Sequence, residues 1–202
     1  MISATLKCEQ IIKQRKEKNL PVYNFGLGAN SIDQPKYYIN ALKKYAHKKK
    51  YTSSTGIPEL KAILGKNLLC GNGFKELIFI IQLSFLNLHN NGKIIHITPS
   101  WVSYKEQLKI LNKLDSLIEI ETTMVNNFKI DLQILENTLK QNEHTLLIFN
   151  NPNNPLGLYH NNNEIKELAS IIQKYNCIVL ADEIYLNLTH HEQILSISHF
   201  IP

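Results

Sequence analysis

An α/β fold on a mostly parallel sheet is predicted by two observations: short apolar runs alternate with segments of helical length, and Asn- and Pro-rich turns follow the runs. The runs at 94–98, 117–122, 146–150 and 177–181 are continuous and bounded by turn residues, as buried strands are. Helices are expected at 75–88, 104–114, 132–141 and 163–175. The first 20 residues are amphipathic and charged, with the solvated run Lys13-Gln14-Arg15-Lys16-Glu17-Lys18, and predict an N-terminal helix rather than a signal peptide. The apolar stretch 77–86 is too short to cross a bilayer, so no membrane partner is expected.

Composition excludes several function classes. With 44% hydrophobic and 19% charged residues the chain is globular and soluble. The net charge of +5 is spread over scattered lysines, with one run at Lys48-Lys49-Lys50, and no nucleic-acid partner is expected. Cys8, Cys70 and Cys177 are odd in number and lack metal spacing, which points to reduced thiols in the cytoplasm. His190-His191 has no third ligand placed nearby and reads as a polar loop, so no metal is expected.

Four motifs lie where strands end or helices begin. Asn151-Pro152-Asn153-Asn154-Pro155-Leu156-Gly157 follows the third apolar run; its prolines fix φ and stiffen the loop, so that the amides between them hold one orientation. Ala181-Asp182-Glu183-Ile184-Tyr185 closes the fourth run, one helix length later. In open α/β sheets ligands bind beyond the carboxyl ends of strands, so both loops are expected to open onto one crevice. Gly71-Asn72-Gly73-Phe74-Lys75-Glu76 opens a helix; its glycines admit an anion to the backbone N–H groups, and the helix dipole favours that charge. It is not a dinucleotide fingerprint, because Glu76 stands where a third glycine would be, so a Rossmann-type nucleotide binder is disfavoured. Thr98-Pro99-Ser100-Trp101-Val102-Ser103-Tyr104 follows the first run and carries the sole tryptophan, a flat ring able to stack on a heteroaromatic ligand.

With Asn24-Phe25-Gly26-Leu27-Gly28 and Tyr51-Thr52-Ser53-Ser54-Thr55-Gly56-Ile57-Pro58-Glu59-Leu60, these motifs resemble the N-terminal half to two-thirds of a class I/II aminotransferase, a fold-type-I pyridoxal-phosphate enzyme of the aspartate aminotransferase superfamily. The resemblance covers nearly all 202 residues. It implies a three-layer α-β-α large domain over 51–202, incomplete at its C-terminus, preceded by a helical segment over 1–50 that belongs to the small domain and its linker. It implies pyridoxal 5'-phosphate as cofactor, an amino acid and a 2-oxo acid as substrates, and a homodimer. Asn154 and Tyr185 would reach the cofactor's phenolic oxygen, Asp182 its ring nitrogen, and Trp101 would stack on the ring. Gly73, Phe74 and Lys75 would hold the phosphate, Phe74 through its backbone alone; Tyr51 would cross to the neighbouring subunit's phosphate, and Gly28 would approach the substrate carboxylate.

Two departures accompany the matches. The family's Schiff-base lysine stands downstream of the Asp-Glu-Ile-Tyr, whereas Lys174 is the last lysine here, and Ser196-Ile197-Ser198-His199 carries histidine where a lysine would be needed. A bidentate guanidinium suits a substrate carboxylate, yet Arg15 is the only arginine. The expectation is therefore a truncated aminotransferase, inactive alone or completed by another chain; the alternative is a non-catalytic remnant or module that binds the cofactor. Without further central strands, the Asp182 strand is expected to present an unpaired edge.

Overall fold

The computed structural model describes residues 4–26, 28, 32–65, 67–189 and 193–201. The chain divides into two compact units, Met1–Thr52 and Ser53–Pro202. The first contains helices α1 (Ala4–Glu17) and α2 (Lys36–Tyr45). The second contains α3 (Pro58–Leu64), α4 (Phe74–Leu88), β1 (Lys93–Thr98), α5 (Val102–Ile110), β2 (Leu117–Glu121), α6 (Leu132–Gln141), β3 (Thr145–Asn150), α7 (Asn162–Lys174) and β4 (Ile178–Asp182).

The four strands form one parallel sheet in the order β2-β1-β3-β4. Alternation along the strands sends their side chains to opposite faces. Ile94, Leu146, Ile148 and Leu180 pack with Ile78, Phe85 and Leu86 of α4 and with Tyr104 and Leu108 of α5. On the other face Ile95, Ile120, Leu147 and Phe149 pack with Leu135 and Leu139 of α6 and with Ile165, Leu168 and Ile172 of α7. The second unit is thus a three-layer α-β-α arrangement. β3 lies between β1 and β4 and is buried at every residue, which is why it reads as an unbroken apolar run. β4 is an edge strand of this sheet, and Ile178 at its start is 50% exposed.

Each apolar run becomes a strand within one residue of its expected limits. The helix expected at 104–114 instead ends at Ile110. Asn112 adopts φ 56°, and the Lys113 amide turns back to the Leu108 carbonyl at 2.9 Å, a left-handed C-terminal stop that the continuing leucines do not betray. Ser196 to His199 lie in a short 3₁₀ turn, and His199 is exposed. His190 and His191 fall outside the described residues. Among the described residues no three His, Cys, Asp or Glu side chains cluster as a metal site requires, and no helix is long and apolar enough to cross a membrane.

Helix α7 starts with a reciprocal cap. Asn161 Oδ1 accepts from the Asn163 and Glu164 amides, both at 3.0 Å, while Glu164 Oε2 accepts from the Asn161 amide at 2.8 Å. Lys129 Nζ also donates to Glu164 Oε2, at 2.7 Å, tying the cap to the segment before α6. Asn161→Ala is expected to cost about 1 kcal/mol in urea unfolding; an unchanged midpoint would show that the cap contributes nothing.

Candidate functional site

The carboxyl ends of β1, β3 and β4 and the start of α4 converge through a continuous set of contacts. Asp182, the last residue of β4, is 4% exposed. Its Oδ2 accepts from the Tyr104 hydroxyl at 2.5 Å, while Oδ1 accepts only a long bond, at 3.5 Å, from the Ile184 amide. Burial pushes the Asp182 carboxyl up, and the Tyr104 and Ile184 donors pull it back towards the charged form. Burial and the Asp182 carboxylate together push the Tyr104 phenol well above its ordinary range, so Tyr104 remains a donor. The Trp101 ring stands edge-on to Tyr104, 5.5 Å between centroids, and Lys75 Nζ lies 5.8 Å from the Trp101 ring centroid.

Main-chain atoms of Asp182 are held as firmly as its side chain. Asn150 Nδ2 donates to the Asp182 carbonyl at 2.8 Å, and the Asn151 amide donates to the same oxygen at 3.1 Å. The Asn-rich loop then consumes most of its own polar groups. Asn150 Oδ1 accepts from the Asn154 amide at 2.7 Å. Asn151 forms a two-way clamp with His160, accepting from its amide at 2.7 Å and donating to its carbonyl at 3.2 Å. Asn153 Oδ1 accepts from the Leu156 amide at 3.2 Å, in a turn where Gly157 takes φ 67°. Of these four asparagines, Asn154 alone has a side-chain amide with no hydrogen-bond partner among the described residues, and it is half-buried. Its amide is thus the one in this loop whose hydrogen-bonding groups are not engaged. Tyr185 stands close enough to influence the Tyr104 phenol; its own hydroxyl makes no hydrogen bond among the described residues and its side chain is 37% exposed.

At the other end, Gly73 precedes α4 with φ 116°, and a Cβ built there would meet nothing within 4 Å. An anion could therefore approach the first amides of α4, beside the Lys75 ammonium. Phe74, the first residue of the helix, is exposed and offers only its amide. Glu183 faces elsewhere: its Oε1 accepts from the Ile197 amide at 2.9 Å and anchors the 3₁₀ turn.

The second unit thus gathers Gly73, Phe74, Lys75, Trp101, Asn154, Asp182 and Tyr185 into one region. Gly28 and Tyr51 belong to the first unit, where both are exposed. Sequence reasoning does not single out Tyr104, Asn150 or Gln107. Tyr104 follows Trp101 by three positions, the spacing that places two side chains on one helix face, and that signal could have found it.

An acid buried at the end of a parallel strand, an aromatic ring near it and an uncrowded helix start thus lie in one region of an α/β fold. The family model for aminotransferase class I and II matches residues 5–199, and the chain belongs to that family. An aspartate aminotransferase of Bacillus sp. (strain YM-2) is 28% identical, over 94% of this chain and 51% of that protein. A probable aspartate aminotransferase of Methanocaldococcus jannaschii is 31% identical over 80% of this chain and 45% of that protein. The solved Thermus thermophilus aspartate aminotransferase with maleate shares the fold, with a TM-score of 0.84 at 23% identity over all of this chain and 56% of that one. The chain spans about half the length of the relatives it matches.

Pyridoxal 5'-phosphate is the expected cofactor of this family, and the residues present fit it. Asp182 offers a buried carboxylate with one oxygen fixed and the other lightly held. Asn154 and Tyr185 have unengaged polar ends, and Gly73 leaves room for a phosphate.

Proposed function

We propose that residues 53–202 form the cofactor-holding part of an aminotransferase that moves an amino group between an amino acid and a 2-oxo acid. The observation that carries this reading is the contact series from Lys75 through Trp101 and Tyr104 to Asp182, which spans the candidate site from its anion cradle to its buried acid.

Bound there, pyridoxal phosphate would supply an electron sink for the carbanion left when a substrate loses its α-proton. The chain's residues have distinct tasks. Asp182, whose charged form the Tyr104 hydroxyl favours against burial, would hold a proton on the ring nitrogen; Trp101 would orient the ring, and Asn154 and Tyr185 would bond its phenolic oxygen. The amides of Gly73, Phe74 and Lys75, with the Lys75 ammonium, hold the phosphate. Tyr51 serves the phosphate of a second subunit in a cytoplasmic homodimer, Gly28 approaches the substrate carboxylate, and residues 1–50 contribute to a small domain and its linker.

No lysine follows Lys174 within residues 1–202, and Arg15 is the sole arginine. By the family resemblance the lysine that links the cofactor lies downstream of Tyr185, so residues 1–202 would hold the cofactor without that link, the lysine and a carboxylate-binding arginine coming from outside them. A non-catalytic cofactor-binding module is the second reading. Mixing the purified chain with pyridoxal phosphate should quench Trp101 fluorescence; borohydride reduction should then leave no stoichiometric adduct by mass. No quenching would remove the site. A stoichiometric adduct on a site lysine, with transamination, would overturn the requirement for an outside lysine.

A further inference from the structure

We propose that Gln107 is a positioning residue for the phosphate end of the site, with Gln82 as its brace, an inference that rests on Gly73, Phe74 and Lys75 holding the phosphate of pyridoxal phosphate. Both amides are buried between α4 and α5, Gln82 being 0% exposed and Gln107 4%. Gln82 Nε2 donates to Gln107 Oε1 at 2.6 Å, and Gln107 Nε2 donates to the main-chain oxygen of Lys75 at 2.8 Å.

Lys75 is the second residue of α4, so its carbonyl lies in the first turn, directly behind the amides that would face a phosphate. Gln107 lies in α5, the helix that begins immediately after Trp101. One side chain therefore joins the helix carrying the stacking ring to the helix opening the anion cradle. The ring end and the phosphate end of one rigid ligand must be held at a fixed separation, and small errors in such a separation weaken binding.

Packing does not account for the pair. Among the described residues Gln82 Oε1 is buried with no partner, a cost that two apolar side chains of similar length would avoid. The hydrogen bond to Lys75 gives Gln107 a task no apolar residue could perform, and Gln82 fixes the Gln107 amide so that its nitrogen faces that carbonyl. The Lys75 oxygen, held from one side, keeps the first turn of α4 from sliding relative to Trp101. Gly73, with φ 116°, gives the helix start no side-chain cap; Glu76 accepts from the Asn72 amide at 2.7 Å within the same segment, and the Gln107 hydrogen bond ties the first turn to α5.

The test uses the full 202-residue chain and compares binding of pyridoxal phosphate with pyridoxal, which lacks the phosphate, by quenching of Trp101. Gln107→Met and the double variant Gln82→Met with Gln107→Met are measured beside the parent, each with a thermal melt. The double variant leaves no amide orphaned and carries the test if the single variant does not fold. The expected result is about tenfold weaker binding of pyridoxal phosphate, with pyridoxal binding and the melting midpoint of the double variant unchanged. Equal loss for both ligands, or unchanged binding of pyridoxal phosphate to the double variant, would overturn the positioning role. Failure of the parent to bind pyridoxal phosphate at all would instead remove the cofactor reading, and this inference with it.

Discussion

Asp182→Asn is expected to weaken binding of pyridoxal phosphate by about a hundredfold, the effect of losing a charge-assisted hydrogen bond in a buried setting. Asparagine keeps the shape of the side chain, and its oxygen can still accept from the Tyr104 hydroxyl. The packing at the end of β4 is therefore preserved, and the change isolates charge. A neutral amide cannot hold a proton on a ring nitrogen, whereas a carboxylate can. Alanine would be a poorer test, because it strands the buried Tyr104 hydroxyl without an acceptor. Tyr104→Phe is the companion: it removes the donor that opposes burial at Asp182, so the carboxyl rises further and binding weakens at the acid side first. Fluorescence titration of each variant reads both effects. If the asparagine variant binds the cofactor as tightly as the parent, Asp182 does not face it.

The second large effect is acid sensitivity. Burial holds the His96 imidazole down at about 4, against an ordinary 6.5; Glu119 opposes the shift and Lys105 adds to it. Both His96 ring nitrogens are without hydrogen-bond partners among the described residues, and the ring stands edge-on to Tyr104 at 5.7 Å. Burial, helped by Lys129 and opposed by Glu164, also holds His160 at about 4, and its Nε2 accepts from the Ile130 amide at 3.3 Å. Both imidazoles are therefore neutral in the folded protein and bind protons more readily when it unfolds. Their stabilising contribution is fully present above pH 6.5 and is lost as the pH falls towards 4, by roughly 3 kcal/mol for each ring. The raised Asp182 carboxyl works in the opposite direction and offsets part of the loss. Denaturant unfolding at pH 7.5 and pH 4.5 should reveal the drop, and His96→Leu, which removes two unpartnered nitrogens from the core, should remove about half of it. A His96→Leu protein with the parent's pH dependence would disprove the assignment.

The four strands were legible because each is short, apolar and closed by turn residues, and a parallel sheet buried on both faces leaves that pattern. The end of α5 was not legible, since Leu111 and Leu114 continue the apolar spacing and only the backbone of Asn112 reveals the stop. The site divides in the same way. Asn154, Asp182 and Trp101 stand in loops or at strand ends, where their chemistry has no packing explanation close at hand. Tyr104 and Gln107 sit inside a helix of ordinary periodicity, and their roles come from partners distant in sequence: Asp182, 78 residues away, and Lys75, 32 residues away. Composition and spacing did not separate Asn154 from its neighbours; the family resemblance did, and the structure adds that the side chains of Asn150, Asn151 and Asn153 are already engaged.

Asn150 and Asn151 seize the Asp182 carbonyl at the point where β4 joins β3, its one neighbour in the sheet among the described residues. The clasp that fastens the outermost strand is thus the same piece of chain that presents the acid. A ligand that docks on the Asp182 carboxylate binds the folded strand end and not the unfolded chain, so its occupancy adds to the stability of the fold. In such a molecule a ligand at the acid would be a structural component as well as a participant in chemistry.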